Sequence, residues 1–215
     1  MVTAGLSGRK AQASRNDTAI LAAARAVFMA DPGAPISAVA ERAEVGISAL
    51  YRRYRSKDEL LQKLCGDGLE IFIAAAERAL AADAPPWDAF AGFMRDIVVA
   101  DVHSLTVRLA GTFDTTEELG RLAARANELA TEVFEQARAD IRADVGVTDL
   151  GMIFEQLAAV RGADDERTEQ LRRRYLALML DAMRIGGDRP TLPGPRPRPG
   201  EFAGRWVRRE PPLRT

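Results

Sequence analysis

The residue types best suited to chemistry in this chain are gathered in one stretch, PISAVAERAEVGISALYRRYRSKDELL, where Ile47, Ser48 and Ala49 are followed by Tyr51, Arg52 and Arg53 and then by Lys57. Guanidinium groups fork onto phosphates and guanine edges, hydroxyls bond phosphate oxygens, and a small apolar side chain can meet a thymine methyl. That is polyanion contact, not bond making. Elsewhere the signals for catalysis or metal binding are thin. His103 is the only histidine and Cys65 the only cysteine, so no ligand cluster for a metal can be assembled from them. Nor does any region combine a nucleophile, a base and an orienting group, or a glycine loop that would cradle phosphate. No catalytic residue, metal or cofactor is therefore expected. His103 reads as a surface or capping residue, and Cys65 as a small packing residue.

Positioning those cations requires two short helices at a sharp angle. The spacing predicts helices over about 36–43 and 47–54, separated by three residues, within a helix-turn-helix spanning 35–54. Ala40 is small where the helices must cross, and Val39, Val45, Leu50 and Tyr54 are apolar on both sides of the turn. Gly46, Ser48 and Ala49 keep the start of the second helix thin enough to enter a major groove. A preceding helix from about Asp17 carries Ile20, Ala24, Val27 and Phe28 on one face and stops at Asp31-Pro32-Gly33. A following helix opens at Ser56-Lys57-Asp58-Glu59 with the pattern of a capping box.

This arrangement resembles the TetR family of repressors. The resemblance rests on Val39-Ala40-Glu41-Arg42-Ala43-Glu44-Val45-Gly46, then Leu50-Tyr51, Tyr54 and Lys57, with Ile20-Leu21, Ala23-Ala24 and Phe28 before them. It covers about residues 15–64. It implies that Tyr51 and Lys57 touch the DNA backbone, and that Ser48, Ala49, Arg52 and Arg53 face bases or nearby phosphates. It further implies an all-α homodimer that binds double-stranded operator DNA, and a helical C-terminal domain that holds a small-molecule effector and releases the DNA when filled. Three positions depart from the family pattern. Glu44 stands at the usual turn glycine, Gly46 at the usual serine, and Ala34-Pro35 at the usual Ser/Thr entry to the first short helix. A helical interaction module with a weakened DNA-binding head is the alternative these departures leave open.

Charge is divided along the 215 residues. Residues 1–57 hold nine Lys/Arg against four Asp/Glu, residues 58–185 hold 14 against 24, and residues 186–215 hold seven against three, for a total of −1. A basic head on an acidic body places the polyanion at the head alone. The expected organisation is a flexible basic arm (1–14), the DNA-binding domain (15–64), a helical effector and dimerisation domain (65–187) and a mobile Pro/Arg-rich tail (188–215). The opening residues lack the apolar core of a signal peptide and no run is long enough to span a bilayer, so a cytoplasmic protein without membrane contact is expected.

In the body, the aromatic and Met residues are expected to be mostly core. Phe93, Met94, Ile97 and Phe134 are chosen as an effector wall. The last helix, about 166–185, carries two apolar stripes: Leu171, Tyr175, Leu178, Ala182 and Ile185 form one, and Leu176, Met179, Leu180 and Met183 form the other. One must pack on its own core and one on something else. The second is expected to form the dimer interface.

Overall fold

The computed structural model describes residues 4–109, 111–186, 190–198 and 201, with side chains from Asn16 onward except that of Val107. Its elements are α1 (Ala4–Ala30), α2 (Ile36–Arg42), α3 (Ile47–Arg53), α4 (Lys57–Leu80), α5 (Pro86–Ala100), α6 (Val102–Leu109), α7 (Glu117–Gln136), a 3-10 turn (Arg138–Asp140), α8 (Val147–Ala159) and α9 (Asp165–Met183). The fold is all-α. Among the described residues the single departure is an isolated antiparallel bridge between Ile141 and Arg184.

Local signals set most of the boundaries. Ser56 caps α4 by accepting from the Glu59 backbone N–H at 3.0 Å, and the Glu59 carboxylate reaches back to the N–H of Arg55, one residue earlier than a regular capping box predicts. Thr116 caps α7 at the Leu119 N–H, and Asp164 caps α9 at the Arg167 N–H. Asp149 accepts from the Gly146 N–H at the start of α8. One boundary corrects the sequence reading. The expected arm is helical from Ala4, because no proline occurs before Pro32 and nothing else between them forces α1 to stop.

Two apolar cores meet along α4. The head core gathers Ile20, Phe28, Val39, Leu50, Leu60 and Leu61 from α1–α4. It also takes in Leu105 and Leu109 of α6, and Phe113 beyond it. The body core joins Phe90, Met94 and Ile97 of α5 to Leu129 and Val133 of α7 and Leu176 of α9. The border expected between residues 64 and 65 thus falls inside one continuous helix. α6, assigned by sequence to the body, packs on both: Val102 lies in the body core, and Leu105 and Leu109 in the head core.

The expected mobile tail is corrected in part. Over 190–198 the chain is held against the loop before α8: the Leu192 N–H donates to the Asp144 carboxylate at 2.8 Å, Arg142 donates to the Pro190 carbonyl, and the Arg196 side chain donates to the Asp144 carbonyl at 3.0 Å. Residues 187–189, 199–200 and 202–215 lie outside the described residues.

Candidate DNA-contacting face and ligand cavity

α3 presents the residues the sequence singled out. Its inner side is anchored by fully buried Leu50, and Tyr54 closes it from the C-cap. Ile47, Ser48, Tyr51, Arg52 and Arg53 are exposed, and Ala49 is half-buried. The turn before α3 carries a strain that the sequence predicts: Glu44 is held at φ 54°, in the left-handed region that favours glycine. Gly46 and Pro35, the N-caps of α3 and α2, supply no side-chain cap. A Cβ added at Gly46 would meet nothing within 4 Å. Gly46→Ser should therefore cap α3, adding a few tenths of a kcal/mol to stability and a hydroxyl facing phosphate. Denaturant melts and operator titration of this variant check both effects.

The two outer cations of the set are engaged internally, which the sequence did not reveal. Arg53 makes a two-pronged pair with Asp17 of α1, both distances 2.8 Å, and its guanidinium lies 5.3 Å from the centre of the Tyr54 ring. The Tyr54 hydroxyl donates to the same carboxylate at 2.7 Å. The Arg53 bond holds the Asp17 carboxyl below its ordinary value, with Tyr54 adding to the fall against the effect of burial. This cluster fixes α3 to α1. Lys57 donates to the carbonyls of Pro32 and Ala34, both at 2.8 Å, and sits 5.0 Å from the Phe28 ring centre. Two of its three N–H donors thus close the loop between α1 and α2, leaving one for a phosphate. Arg52 makes no ion pair or hydrogen bond among the described residues and is the free cation of α3.

These roles separate in mutants. Arg52→Ala is expected to cost about 1–3 kcal/mol of operator affinity and leave the melting temperature in place. Lys57→Ala should lower stability as well, by about 1–3 kcal/mol, because it orphans two carbonyls. Thermal melts alongside operator titration distinguish the two. Equal behaviour of the two variants would contradict this division.

Between α4, α6, α7 and α8 lies a cavity of about 560 Å³, within the range of small-molecule sites. It is opened by small residues on three helices: Gly68 of α4, Gly120, Ala123 and Ala124 of α7, and Gly151 of α8. Phe72 and Phe154 supply aromatic wall, and α6 contributes Val102, His103 and Thr106. The expected effector wall is corrected. Phe93, Met94, Ile97 and Phe134 are all buried in the body core, and none of them lines this cavity. Large side chains fill space, and the cavity forms where side chains are small.

Two further residues border the cavity, and one of them, His103, differs from expectation. His103 is buried and lines the cavity, with its ring 5.7 Å from that of Phe154. Among the described residues neither ring nitrogen makes a hydrogen bond of good geometry. Cys65 packs as expected but also borders the cavity, and burial pushes its thiol up to about 12, so it is no thiolate nucleophile. Among the described residues no group of three or more His, Cys, Asp or Glu is placed to hold a metal, and no helix is long and apolar enough to cross a membrane.

The expected dimer stripe is also reversed. Leu176, Leu180 and Met183 are buried, and Met179 packs partly buried against the same core. Tyr175, Leu178 and Ile185, the other stripe, are 45%, 56% and 62% exposed.

A comparison with known families matches residues 20–64 to the bacterial regulatory proteins of the tetR family. No curated protein matches the chain significantly. Solved structures with the same fold include a TetR transcriptional regulator from Streptomyces coelicolor (23% identity, TM-score 0.56, covering 79% of this chain and 99% of that one). The TetR-like regulator LfrR from Mycobacterium smegmatis, in complex with proflavine, is 22% identical at a TM-score of 0.61, over 81% of this chain and 99% of its own. The ketosteroid transcriptional regulator KstR2 of Mycobacterium tuberculosis is 18% identical at a TM-score of 0.59, over 80% and 96%. Residues 20–64 of this chain thus match the model of the bacterial tetR regulatory proteins, and the chain has the fold of the solved TetR-type transcription regulators.

Proposed function

We propose that the chain is a homodimeric repressor that binds double-stranded operator DNA through α3 and leaves it when a small molecule occupies the cavity. The observation that carries this reading is the double duty of α6. One side of this eight-residue helix gives His103 and Thr106 to the cavity, while Leu105 and Leu109 lie in the core of the DNA-binding head. Packed cores transmit displacement because they cannot deform smoothly. A molecule that moves α6 therefore moves the floor on which α1 and α4 rest. Arg108 adds a direct link, donating to the carbonyl of Ala30 at the end of α1 at 3.0 Å. Two recognition helices must fit half-sites about one DNA turn apart, so a small change in their spacing is enough for release.

The dimer is assigned to the exposed stripe of α9, Tyr175 and Leu178, with Ile185 just beyond the helix end, in place of the buried one. An isologous contact there would give the two-fold axis that a near-palindromic operator requires. Footprinting on the intergenic DNA beside the protein's own gene tests the function. A protected, near-palindromic site whose binding weakens steeply with salt is the expected result. Binding that ignores sequence, or that survives in Arg52→Ala with unchanged affinity, would remove the proposal.

A further inference from the structure

Resting on the reading of this cavity as the effector site, the geometry points to its ligand class: an uncharged, mostly apolar molecule carrying a carbonyl, ether or hydroxyl oxygen that hydrogen-bonds His103. The first argument is charge. Among the described residues no Asp, Glu, Lys or Arg lines the cavity, so an ion seated against its apolar wall would give up hydration and find no counter-charge there. Arg95, Arg108 and Arg121, on α5, α6 and α7, are all absent from the wall. Arg108 bonds the Ala30 carbonyl and Arg121 pairs with Glu117. The nearest carboxylate to His103 in the chain, Asp101, is taken by Arg25 and Arg172 and does not reach the cavity.

The second argument is His103 itself. It is 7% exposed and lines the cavity, and among the described residues neither ring nitrogen makes a hydrogen bond of good geometry; the nearby Ile97 carbonyl favours a proton on the ring without closing such a bond. A buried polar group without a partner carries a desolvation cost that a ligand oxygen can relieve. The charged groups around it are Asp101, at the α5–α6 junction, Arg172 on α9 and Arg25 on α1. Burial pushes the imidazole down to about 4, Asp101 pulling it up and Arg172 adding to the fall, so at neutral pH the ring is uncharged. A neutral imidazole offers one donor and one acceptor, which suit an oxygen but supply no counter-charge to an anion. The other polar walls are modest. Thr106 already donates its hydroxyl to the Val102 carbonyl at 2.9 Å, leaving it an acceptor only, and Thr115 before α7 and Asn127 on the exposed side of α7 reach the cavity from its solvent edge.

Four probes of one chain length separate the possibilities: 2-nonanone, nonane, nonanoate and nonylammonium, titrated calorimetrically into the full-length protein at neutral pH. The ketone is expected to bind at least about tenfold more tightly than either ion, since neither ion finds a partner. It should also exceed nonane by about fivefold, the worth of one hydrogen bond to a buried group. His103→Leu should erase the advantage over nonane and His103→Gln, which keeps a donor, should retain part of it. The wild-type series alone decides the charge argument if His103→Leu fails to fold. An ion that binds as tightly as the ketone, no binding of the ketone, or an unchanged ketone-to-nonane ratio in folded His103→Leu would overturn the inference. Selective ketone binding that leaves operator affinity unmoved would uphold this ligand class and remove the effector reading instead.

Discussion

Asp101→Asn should lower the stability of the fold by about 3 kcal/mol, or roughly 6–12 °C in melting temperature for a chain of this size. Asp101 terminates α5 in the left-handed region at φ 52°, which Asn tolerates, so the backbone is spared and the charge alone is removed. Its carboxylate joins three parts of the molecule: Arg25 of α1, which also donates to the Asp101 carbonyl, and Arg172 of α9. The Arg172 side chain is 6% exposed, against 31% for Asp101, and its Nε already lacks a partner. Removing the carboxylate strands a buried guanidinium. The cost is set at the low end of the range for breaking buried pairs because a third of Asp101 still meets water. Arg172→Met, by contrast, removes the buried charge and leaves Asp101 with Arg25, so it should cost about 1 kcal/mol or less. The double variant should be no less stable than Asp101→Asn alone, a non-additivity that denaturant melts of the cycle will read. Two equal and additive single losses would show that the three side chains do not act together.

The second large effect separates the two stripes of α9. Leu176→Glu should prevent folding, since it removes a buried leucine and puts an unpaired carboxylate in its place, together more than about 4 kcal/mol. Leu178→Glu combined with Tyr175→Glu should leave a folded monomer. Circular dichroism and sedimentation separate the outcomes. A folded Leu176→Glu protein that dissociates, beside a dimeric Tyr175/Leu178 variant, would restore the interface to the stripe first expected from sequence.

That reversal shows where sequence reasoning stops. Periodicity, Asp31-Pro32-Gly33 and Ser56 made the helices of the head readable, and the apolar anchors Val39, Leu50 and Tyr54 made the helix-turn-helix readable, with Glu44 standing where the turn favours glycine. Those are local properties. Which stripe of α9 faces α5 is a tertiary fact, and Leu176/Leu180 and Tyr175/Leu178 are apolar enough to serve either way. The same limit hid the partners of Arg53 and Lys57, which lie 36 residues away at Asp17 and 25 residues away at Pro32. Long-range bonds leave no trace in spacing. The cavity was sought among Phe93, Met94, Ile97 and Phe134 because ligand walls are often aromatic. A better signal was present on α7, where Gly120, Ala123, Ala124 and Asn127 recur at helical spacing on an otherwise charged helix. Such a stripe removes volume from one face, and Gly68 and Gly151 do the same from α4 and α8.

The central claim is that the cavity and the operator site are coupled through α6, and the most direct test is their mutual effect on affinity. Operator binding is measured with the cavity empty and with it saturated by a molecule found in a thermal-shift screen, and binding of that molecule is then measured with and without operator. The account predicts that each weakens the other by the same factor, in the range of about 5–150-fold. A molecule that occupies the cavity and leaves operator affinity unchanged would contradict it, because equal affinity for the two states shifts neither.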